Sequence, residues 1–255
     1  MILINNTSTD PYFNAAAEEY LLKCFTVPVF MMWQNQPAVV IGRHQDVSME
    51  VNHGFTEKNN IKVVRRFSGG GAVYHDRGNI NLTFINQSGY TDFDFYTGQL
   101  VEFLSLAGIR AYSDSRNSLY VNSNKISGSA QYIRGNKVLF HSTLLFSTDL
   151  NTLEKALDAG TDESSPAYSN CMTGYVRSVK SPVTNLTDHL PWPVPVENFK
   201  SFLFNYFMVK DTGNSIYSFN NDDIKAIEKL TKEKYLSTEW NYKTQKSLYK
   251  ESCAI

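Results

Sequence analysis

The chain has few cysteines and lacks the spacings with which cysteines hold a metal ion. Cys24, Cys171 and Cys253 are scattered along the 255 residues, with no CxxC pair and no Cys/His spacing of the kind that binds zinc. Cys171 has no base beside it in sequence that would activate it, which disfavours a cysteine nucleophile. The cysteine usage therefore predicts a cytoplasmic protein without structural zinc.

The chain also lacks an excess of charge and lacks long apolar runs. Its 24 basic and 25 acidic residues give a formal net charge of −1, whereas a general nucleic-acid-binding protein usually carries a basic excess. No apolar run approaches the roughly 20 residues of a membrane span. The N-terminus has no basic region followed by a long apolar segment, as a signal peptide would. We therefore expect no nucleic-acid partner and no membrane partner.

Residues 65–84 hold the most informative pattern that is present. Arg65 and Arg66 supply positive charge and planar donor forks. The triple glycine at 69–71 lets the backbone approach a ligand and point N–H groups at anionic oxygens. Polar and apolar residues then alternate over 79–84, which predicts a half-buried strand. The segment therefore indicates an anion-binding loop that hangs from the edge of a sheet.

Two common phosphate-binding motifs do not fit this loop. No Gly-Lys-Ser/Thr follows the glycines, as it would in a Walker A loop. Tyr74 stands where a dinucleotide fingerprint has its third glycine, and the element predicted next is a strand rather than a helix. A tight turn with incidental arginines stays an alternative. The adjacent arginines and His75 with Asp76 favour the anion-binding interpretation.

A second candidate is Lys125, which follows a predicted hairpin turn at 122–124. Small residues at 127–130 allow a bulky ligand to approach and offer hydroxyl and N–H donors. A lysine beside such a segment suits the activation of a phosphate or carboxylate, although most lysines on turns are only solvated. For His75 and His141, which lie near these elements, a structural hydrogen-bonding role is the default expectation.

Apolar periodicity predicts a mixed α/β chain. Short strands separated by few residues favour a largely antiparallel or mixed sheet over a regular βαβ series. The runs at 29–33 and 38–42 are predicted as a β-hairpin or two neighbouring strands. The length allows one large domain or two small ones. The other predicted strands are 2–4, 79–86, 119–121, 125–127 and 137–147, and the predicted helices are 11–24, 94–107, 152–159, 197–209 and 222–234.

Five motifs resemble those of the lipoate–protein ligase A family and occur in the family's order. The segment 65–79 (RRFSGGGAVYHDRGN) is similar to its glycine-loop signature, and 125–130 (KISGSA) is similar to its catalytic-lysine motif. Three later segments, 141–145 (HSTLL), 181–186 (SPVTNL) and 240–242 (WNY), also resemble family motifs. The resemblance covers nearly the whole chain.

The resemblance implies an α/β (α+β) fold of the biotinyl/lipoyl ligase type, with a mixed, largely antiparallel sheet flanked by helices and related to class II synthetases. It implies that lipoate attacks the α-phosphate of ATP to give lipoyl-adenylate (lipoyl-AMP), with Mg²⁺ implied by analogy. A lysine of a lipoyl domain then takes the lipoyl group. The expected acceptors are lipoyl domains of 2-oxoacid dehydrogenase acyltransferase subunits or the glycine cleavage H protein.

The resemblance also implies roles for individual residues. Lys125 is the expected catalytic residue, bridging the lipoyl carbonyl and the phosphate, and Arg66 is expected to contact the phosphates. Val39, Ile41 and Val73 are expected walls of the tunnel for the lipoyl chain. Metal ligands are not identified. The expected nucleotide and lipoyl-adenylate site comprises Arg66, Ser68, Gly70, Gly71, Ala72, Val73, Tyr74, His75, Asn79, Lys125, Ser129, Ala130 and His141.

We expect residues 1–255 to form a single catalytic domain, because only 243–255 follow the WNY motif, too few for the accessory domain that many family members carry. This leaves alternatives open: a lipoyltransferase that uses preformed lipoyl-adenylate or needs a separate accessory protein, an octanoyl transferase, or a non-catalytic lipoyl or nucleotide-binding module. The glycine loop favours adenylate chemistry over octanoyl transfer, and its pattern differs from that of biotin ligases. Lys125 favours an enzyme over a binding module.

Overall fold

A computed structural model describes residues 1–87, 93–160 and 176–242. Cys171, Cys253 and the segment 243–255 lie outside these ranges. The strands are β1 Ile2–Asn5, β2 Val29–Trp33, β3 Ala38–Ile41, β4 Lys62–Arg65, β5 Val73–His75, β6 Asn79–Gln87, β7 Tyr112–Ser113, β8 Leu119–Val121, β9 Asn124–Arg134, β10 Lys137–Leu145 and β11 Ser215–Ile216.

Helices flank these strands at both faces. Asp10 caps α1 by accepting the N–H of Tyr12 at 2.9 Å, and Pro11 occupies the first helical position, as the sequence predicts. A π-helical turn, Thr231–Tyr235, continues α7. Within the described ranges the α-helices are α1 Pro11–Cys24, α2 Val47–Glu50, α3 His53–Lys58, α4 Phe93–Leu106, α5 Leu150–Ala156, α6 Val196–Val209, α7 Asn221–Leu230 and α8 Thr238–Asn241.

The strands form a large and a small sheet. The large sheet has the order β11-β1-β2-β6-β10-β9-β8-β7, parallel over its first three strands and antiparallel beyond. The small sheet has the order β4-β3-β5. The expectation of a mixed, largely antiparallel sheet flanked by helices is therefore confirmed.

Strand β6 shows how the large sheet divides the core from the site. Ile80, Leu82 and Phe84 belong to a cluster of buried aromatic and aliphatic side chains that packs under α4 and α6. Because successive side chains of a strand point to opposite faces, Asn81 and Thr83 lie on the other face. That polar face is also buried, and it forms the floor of the pocket described below.

The prediction for 29–33 and 38–42 is wrong in both of its forms. Strand β2 pairs with β1 and β6 in the large sheet, whereas β3 is the middle strand of the small one. The link between them is held by α1, because Asn14 Nδ2 donates to the carbonyl of Gln34 and to Asn35 Oδ1 at 2.9 and 2.8 Å. A polar link anchored in this way leads the chain from one sheet to the other.

The hairpin before Lys125 is confirmed. Asn122 and Ser123 both have positive φ values, 46° and 67°, as a type I′ turn between twisted strands requires. Strand β9 is longer than predicted and runs to Arg134. Three short helices (α2, α3 and α8) and four short strands (β4, β5, β7 and β11) were not predicted from the sequence, because elements of two to six residues show no periodicity.

Candidate active site

Arg66 lies at the centre of the glycine loop and holds its shape. Its guanidinium donates to the carbonyls of Gly69 (2.6 Å), Gly71 (2.8 Å) and Val40 (3.1 Å), and its Nε also donates to Ser68 Oγ at 3.1 Å. The side chain is 6% exposed. Burial lowers the pKa of Arg66 to about 10, so the group stays charged at neutral pH.

Two glycines make the loop possible, and one of them lies outside it. A Cβ on Gly42, which follows β3, would lie 2.0 Å from the carbonyl oxygen of Gly70, a distance that no side chain tolerates. Gly70 itself has a φ of 89°, and a Cβ there would lie 2.9 Å from Arg66 Nη2. The loop therefore packs directly on the backbone after β3, and glycine is required at both positions.

Arg65 ties the loop to the WNY motif. Its Nη1 donates to the carbonyls of Gly42 and Gln45, at 2.9 and 2.7 Å, and its Nε donates to the carbonyl of Trp240 at 2.9 Å. Its backbone N–H donates to Asn241 Oδ1 at 2.9 Å. Because Arg65 is completely buried, it serves the fold and does not face a ligand.

Lys125 is held at its backbone and carries a side chain without a fixed partner. Its N–H donates to the carbonyl of Pro182 at 2.8 Å, and its carbonyl accepts the N–H of Thr184 at 3.1 Å. Among the described residues no hydrogen bond or ion pair holds its ammonium group. Burial lowers the pKa of Lys125; Asp114 opposes this effect and Arg116 adds to it.

Lys125 lies where two cavities meet. The inner cavity has a volume of about 300 Å³ and the outer cavity about 710 Å³. Both are lined by Lys125, by Ala72 and Val73 of the glycine loop, and by Arg177 and Ser178. The inner cavity extends to Glu18, Trp33, His75, Asn81 and His141.

Glu18 and His141 form a hydrogen-bonded chain at the inner cavity. His141 Nδ1 lies 3.0 Å from Glu18 Oε1, and its Nε2 lies 2.9 Å from Ser68 Oγ. Glu18 also accepts the hydroxyl of Thr83 at 2.6 Å. Because Ser68 accepts from Arg66, the chain links the carboxylate of α1 to the arginine of the loop. A buried carboxylate is balanced in this way by nearby positive charge.

Ser178 closes over the glycine loop. Its Oγ accepts the backbone N–H of Ala72 at 2.7 Å and the Nε2 of Gln45 at 3.1 Å. Its own N–H donates to Glu50 Oε1 at 3.2 Å. The segment that contains Ser178 therefore occupies one of the backbone donors that the sequence offers to an anion.

The structure brings most of the predicted site residues together and separates a few. Tyr74 lines the outer cavity but not the inner one. Ser68 is fully buried behind Arg66 and His141, and it lines neither cavity. Asn79 also lines neither cavity, since its Nδ2 donates to the carbonyl of Tyr74 and to Thr143 Oγ1. The inner cavity is lined by Arg66, Gly70, Gly71, Ala72, Val73, His75, Lys125, Ser129, Ala130 and His141.

The predicted tunnel walls need a correction. Val39 and Ile41 pack into a separate cluster between the small sheet and α2, and they line neither cavity. Val40 lines the inner cavity instead, and Val73 lines both. Because side chains alternate along a strand, an error of one residue in the assignment of faces places core residues in the cavity wall and wall residues in the core.

Four residues of the site were not predicted from the sequence: Glu18, Trp33, Asn81 and Ser178. Glu18 could have been found, because it lies next to Ala17 among the buried residues of α1, and a buried carboxylate needs a polar partner. Asn81 could have been found too, as a polar residue within a strand that is otherwise buried. Ser178 gave no signal, because the residues around it show no periodicity.

The fold and the pocket define the chain as an α/β domain in which a glycine loop and a half-buried lysine meet at two adjoining cavities. The particular family follows from the sequence, since residues 10–208 match the model of the lipoyl protein ligase A/B catalytic domain. The chain belongs to this family, and the resemblance stated above is confirmed.

Individual relatives agree with this membership. The chain is similar to lipoate–protein ligase 1 of Staphylococcus aureus, with 35% identity over 243 residues, 93% of this chain and 72% of the relative. Two solved structures share its fold, each at 24% identity, a TM-score of 0.77 and 94% of this chain. One is a bipartite lipoate protein ligase from Thermoplasma acidophilum, covered to 95%, and the other is a lipoate–protein ligase A bound with ATP, covered to 98%.

No helix within the described ranges is long and apolar enough to cross a membrane. No group of three or more His, Cys, Asp or Glu residues within 1–87, 93–160 and 176–242 could hold a metal ion. The acidic side chains that line the outer cavity are Glu50, Glu154 and Asp158.

Proposed function

We propose that this chain is a lipoate–protein ligase that activates lipoate with ATP and transfers the lipoyl group to a lysine of a lipoyl domain. The observation that carries the proposal is the position of Lys125, whose ammonium group has no fixed partner in the described chain and lies where the two cavities join. A ligand that filled both cavities would pass its central atoms beside this cation.

The two cavities suit the two halves of an acyl adenylate. The inner cavity, bounded by Trp33 and Val40, takes the acyl chain, and the larger outer cavity takes the nucleotide. The glycine loop lines both cavities through Ala72 and Val73, which brings its backbone close to the phosphate that joins the two halves. The relative in Staphylococcus aureus bears the name lipoate–protein ligase, and one structural neighbour has ATP bound. Both descriptions support lipoate and ATP as the substrates.

The first step is an in-line displacement at phosphorus. A carboxylate oxygen of lipoate forms a bond to the α-phosphorus of ATP, and the bond to the pyrophosphate oxygen breaks. Negative charge is concentrated on the α-phosphate, where Lys125 and the loop N–H groups stabilise it. Arg66 contributes its charge through the loop that it holds. Holding both substrates in adjoining cavities removes the entropy cost of their encounter.

The second step transfers the acyl group. The neutral amine of the acceptor lysine attacks the lipoyl carbonyl, AMP leaves with the electron pair, and the amine loses a proton. Lys125 is placed to stabilise the carbonyl oxygen in this step as well. Because the mixed anhydride reacts with water, the covering of the loop by Ser178 also protects the intermediate.

Magnesium is proposed on chemical grounds alone. Mg²⁺ binds ATP through phosphate oxygens and needs few protein carboxylates, so the lack of an acidic cluster among the described residues is compatible with it. Glu50 lines the outer cavity, where its Oε1 accepts the N–H of Ser178. No step above depends on a protein ligand to the metal.

The acceptor proteins and the domain organisation also stay proposals. Lipoyl domains of 2-oxoacid dehydrogenase acyltransferase subunits and the glycine cleavage H protein are the expected acceptors. The single catalytic domain over 1–255, a separate accessory protein and a cytoplasmic location remain predictions from the sequence. The relative from Thermoplasma acidophilum, described as bipartite, supports a ligase in two parts.

The test uses an apo lipoyl domain and two parallel reactions. One contains lipoate and ATP, and the other contains preformed lipoyl-adenylate. Product in both, with pyrophosphate released in the first, supports the ligase. Product in the second reaction alone indicates a lipoyltransferase or the need for an accessory protein. If neither reaction yields lipoylated domain while the protein still binds lipoyl-adenylate, the chain is a binding module and the proposal fails.

A further inference from the structure

Four strands of the large sheet contribute one row of residues to the floor of the inner cavity. Gly128 of β9 pairs with Thr143 of β10, Thr143 pairs with Asn81 of β6, and Asn81 pairs with Trp33 of β2. Paired residues of neighbouring strands lie on the same face. The row therefore runs straight across the floor from Gly128 to Trp33.

Lys125 marks one end of this row. Its Nζ lies 3.6 Å from the position that a Cβ on Gly128 would take. Asn81 is two strands further on, about 10 Å away at the usual spacing of strands. This distance matches the length of an extended eight-carbon acyl chain whose carboxyl group lies at Lys125. The distal end of such a chain would reach Asn81.

Burial shows that Asn81 lies at the closed end of the cavity. Its exposed fraction is 1%, and those of Glu18, Trp33 and His75 are 2%, 6% and 4%. At the opposite end Val179 is 62% exposed. The cavity thus opens beside the segment that contains Ser178 and ends at the side chains around Asn81.

The closed end contains polar atoms that the described chain leaves unpaired. Neither Nδ2 nor Oδ1 of Asn81 has a hydrogen-bond partner among the described residues, and neither has Nε2 of His75. Buried polar atoms in native proteins are nearly always paired, because an unpaired one costs free energy. A purely apolar tunnel would have no use for an asparagine at this position.

The proton on His75 can be placed from its neighbours. Asn35 Oδ1 accepts from Asn14, so the Nδ2 of Asn35 donates to His75 Nδ1, at 3.1 Å. The proton of the neutral ring is then on Nε2. Burial lowers the pKa of His75 to about 3, with Arg66 and His141 acting in the same direction, so the ring is neutral. His75 therefore presents an N–H donor at the closed end.

We propose that Asn81, together with the Nε2–H of His75, selects an acyl group that carries a sulfur acceptor at its distal end over a plain alkyl chain. The inference rests on the proposed function and names the specificity of that site. Sulfur is a weak acceptor, but a dithiolane ring pairs donors that an octanoyl chain leaves buried and unsatisfied. A site built to hydrogen-bond its substrate rejects an analogue that lacks the partner.

The test compares lipoate with two analogues, octanoate and 5-cyclopentylpentanoate, in the complete reaction with ATP and an apo lipoyl domain. The cyclopentyl analogue keeps the ring and replaces both sulfurs by methylene groups, so it separates shape from hydrogen bonding. The unmodified protein should prefer lipoate over each analogue by roughly tenfold in kcat/KM. Asn81→Leu, which keeps the branching of the side chain, should bring the ratio for the cyclopentyl analogue close to one.

The matched control is Ile80→Val, on the same strand but facing the core. It should leave the ratio unchanged. A merely structural role for Asn81 would lower kcat/KM for all three acids equally and leave the ratio as it is, which would overturn the inference. A ratio near one in the unmodified protein would overturn it too, even if the variant failed to fold. Failure of the unmodified protein with every acid would instead refute the proposed function.

Discussion

The replacement of Lys125 by methionine tests the catalytic proposal most directly. Methionine keeps the length and apolar stem of the side chain and removes the charge. No ion pair within the described chain holds the ammonium group, so the change breaks no contact that the fold needs. The expected effect therefore falls on the reaction and not on the structure.

The magnitude follows from the position of the group. Removing one preorganised donor from an active site typically costs about 2.7–4 kcal/mol of transition-state stabilisation, or roughly 100- to 1,000-fold in kcat. Lys125 is half-buried at the junction of the cavities, where solvent screening is weak. We expect Lys125→Met to reach this range in both partial reactions, because the same cation serves adenylation and transfer.

The pH dependence provides an independent signature. Burial lowers the pKa of Lys125 in the folded protein below its unfolded value. The proposed role of Lys125 requires the charged form, so the lysine-dependent rate is lost as pH rises through the lowered pKa. Below that pKa the folded protein carries a buried charge, which lowers the free energy of unfolding. This destabilisation is lost as pH rises from the lowered pKa toward the unfolded value. Lys125→Met should therefore be at least as stable as the unmodified protein at pH 7.

The assay measures pyrophosphate release and lipoyl transfer across pH, with thermal unfolding beside them. Lys225→Met serves as the control, since Lys225 is an exposed residue of α7. More than a tenth of the original kcat in Lys125→Met would refute the catalytic role. So would an alkaline limb of the pH profile that is the same in the variant and the unmodified protein.

Two further substitutions test the scaffold of the loop. Gly42→Ala should lower kcat/KM at least tenfold and reduce stability, because its Cβ would lie 2.0 Å from the carbonyl oxygen of Gly70 and would displace it. In the control Gly54→Ala the atom nearest to the new Cβ is Asn52 Oδ1 at 3.9 Å, an ordinary contact, so the substitution should stabilise by about 0.5–1 kcal/mol in denaturant unfolding. Asn241→Ala should cost about 1–3 kcal/mol of unfolding free energy, because the buried N–H of Arg65 loses its acceptor. Equal stability of Asn241→Ala and the unmodified protein would contradict this role of Asn241.

Local signals predicted the elements that carry the site. The cap at Asp10, the periodicity of α1 and the turn at Asn122 are each set by residues close in sequence, and the structure has them where expected. The glycine loop was likewise visible as a candidate anion site. The sequence could not place β3 in a second sheet, because the contact that leads the chain there comes from Asn14, far from the strand.

The distant partners of each site residue were also beyond local reasoning. Glu18 and His141 meet across 123 positions of the chain, and Trp240 contacts Arg65 across 175. Such pairs depend on how helices pack on the sheet, and a single sequence carries no signal for them. The one-residue error at Val40 has another cause, since a fully buried four-residue strand shows no alternation between polar and apolar faces.

The two arginines of the glycine-loop segment differ in position, since Arg65 is completely buried and Arg66 lines the inner cavity. In sequence both look like ligands of an anion. In the structure Arg65 donates to the carbonyls of Trp240 and Gly42, and Arg66 donates to carbonyls of the glycine loop. Arg66 thereby holds the shape of the loop, whose residues Ala72 and Val73 line both cavities. Lys125, whose ammonium group has no fixed partner in the described chain, is then the cation that can contact the phosphate in both adenylation and transfer. The arginines build the site, and the lysine is free to act in it.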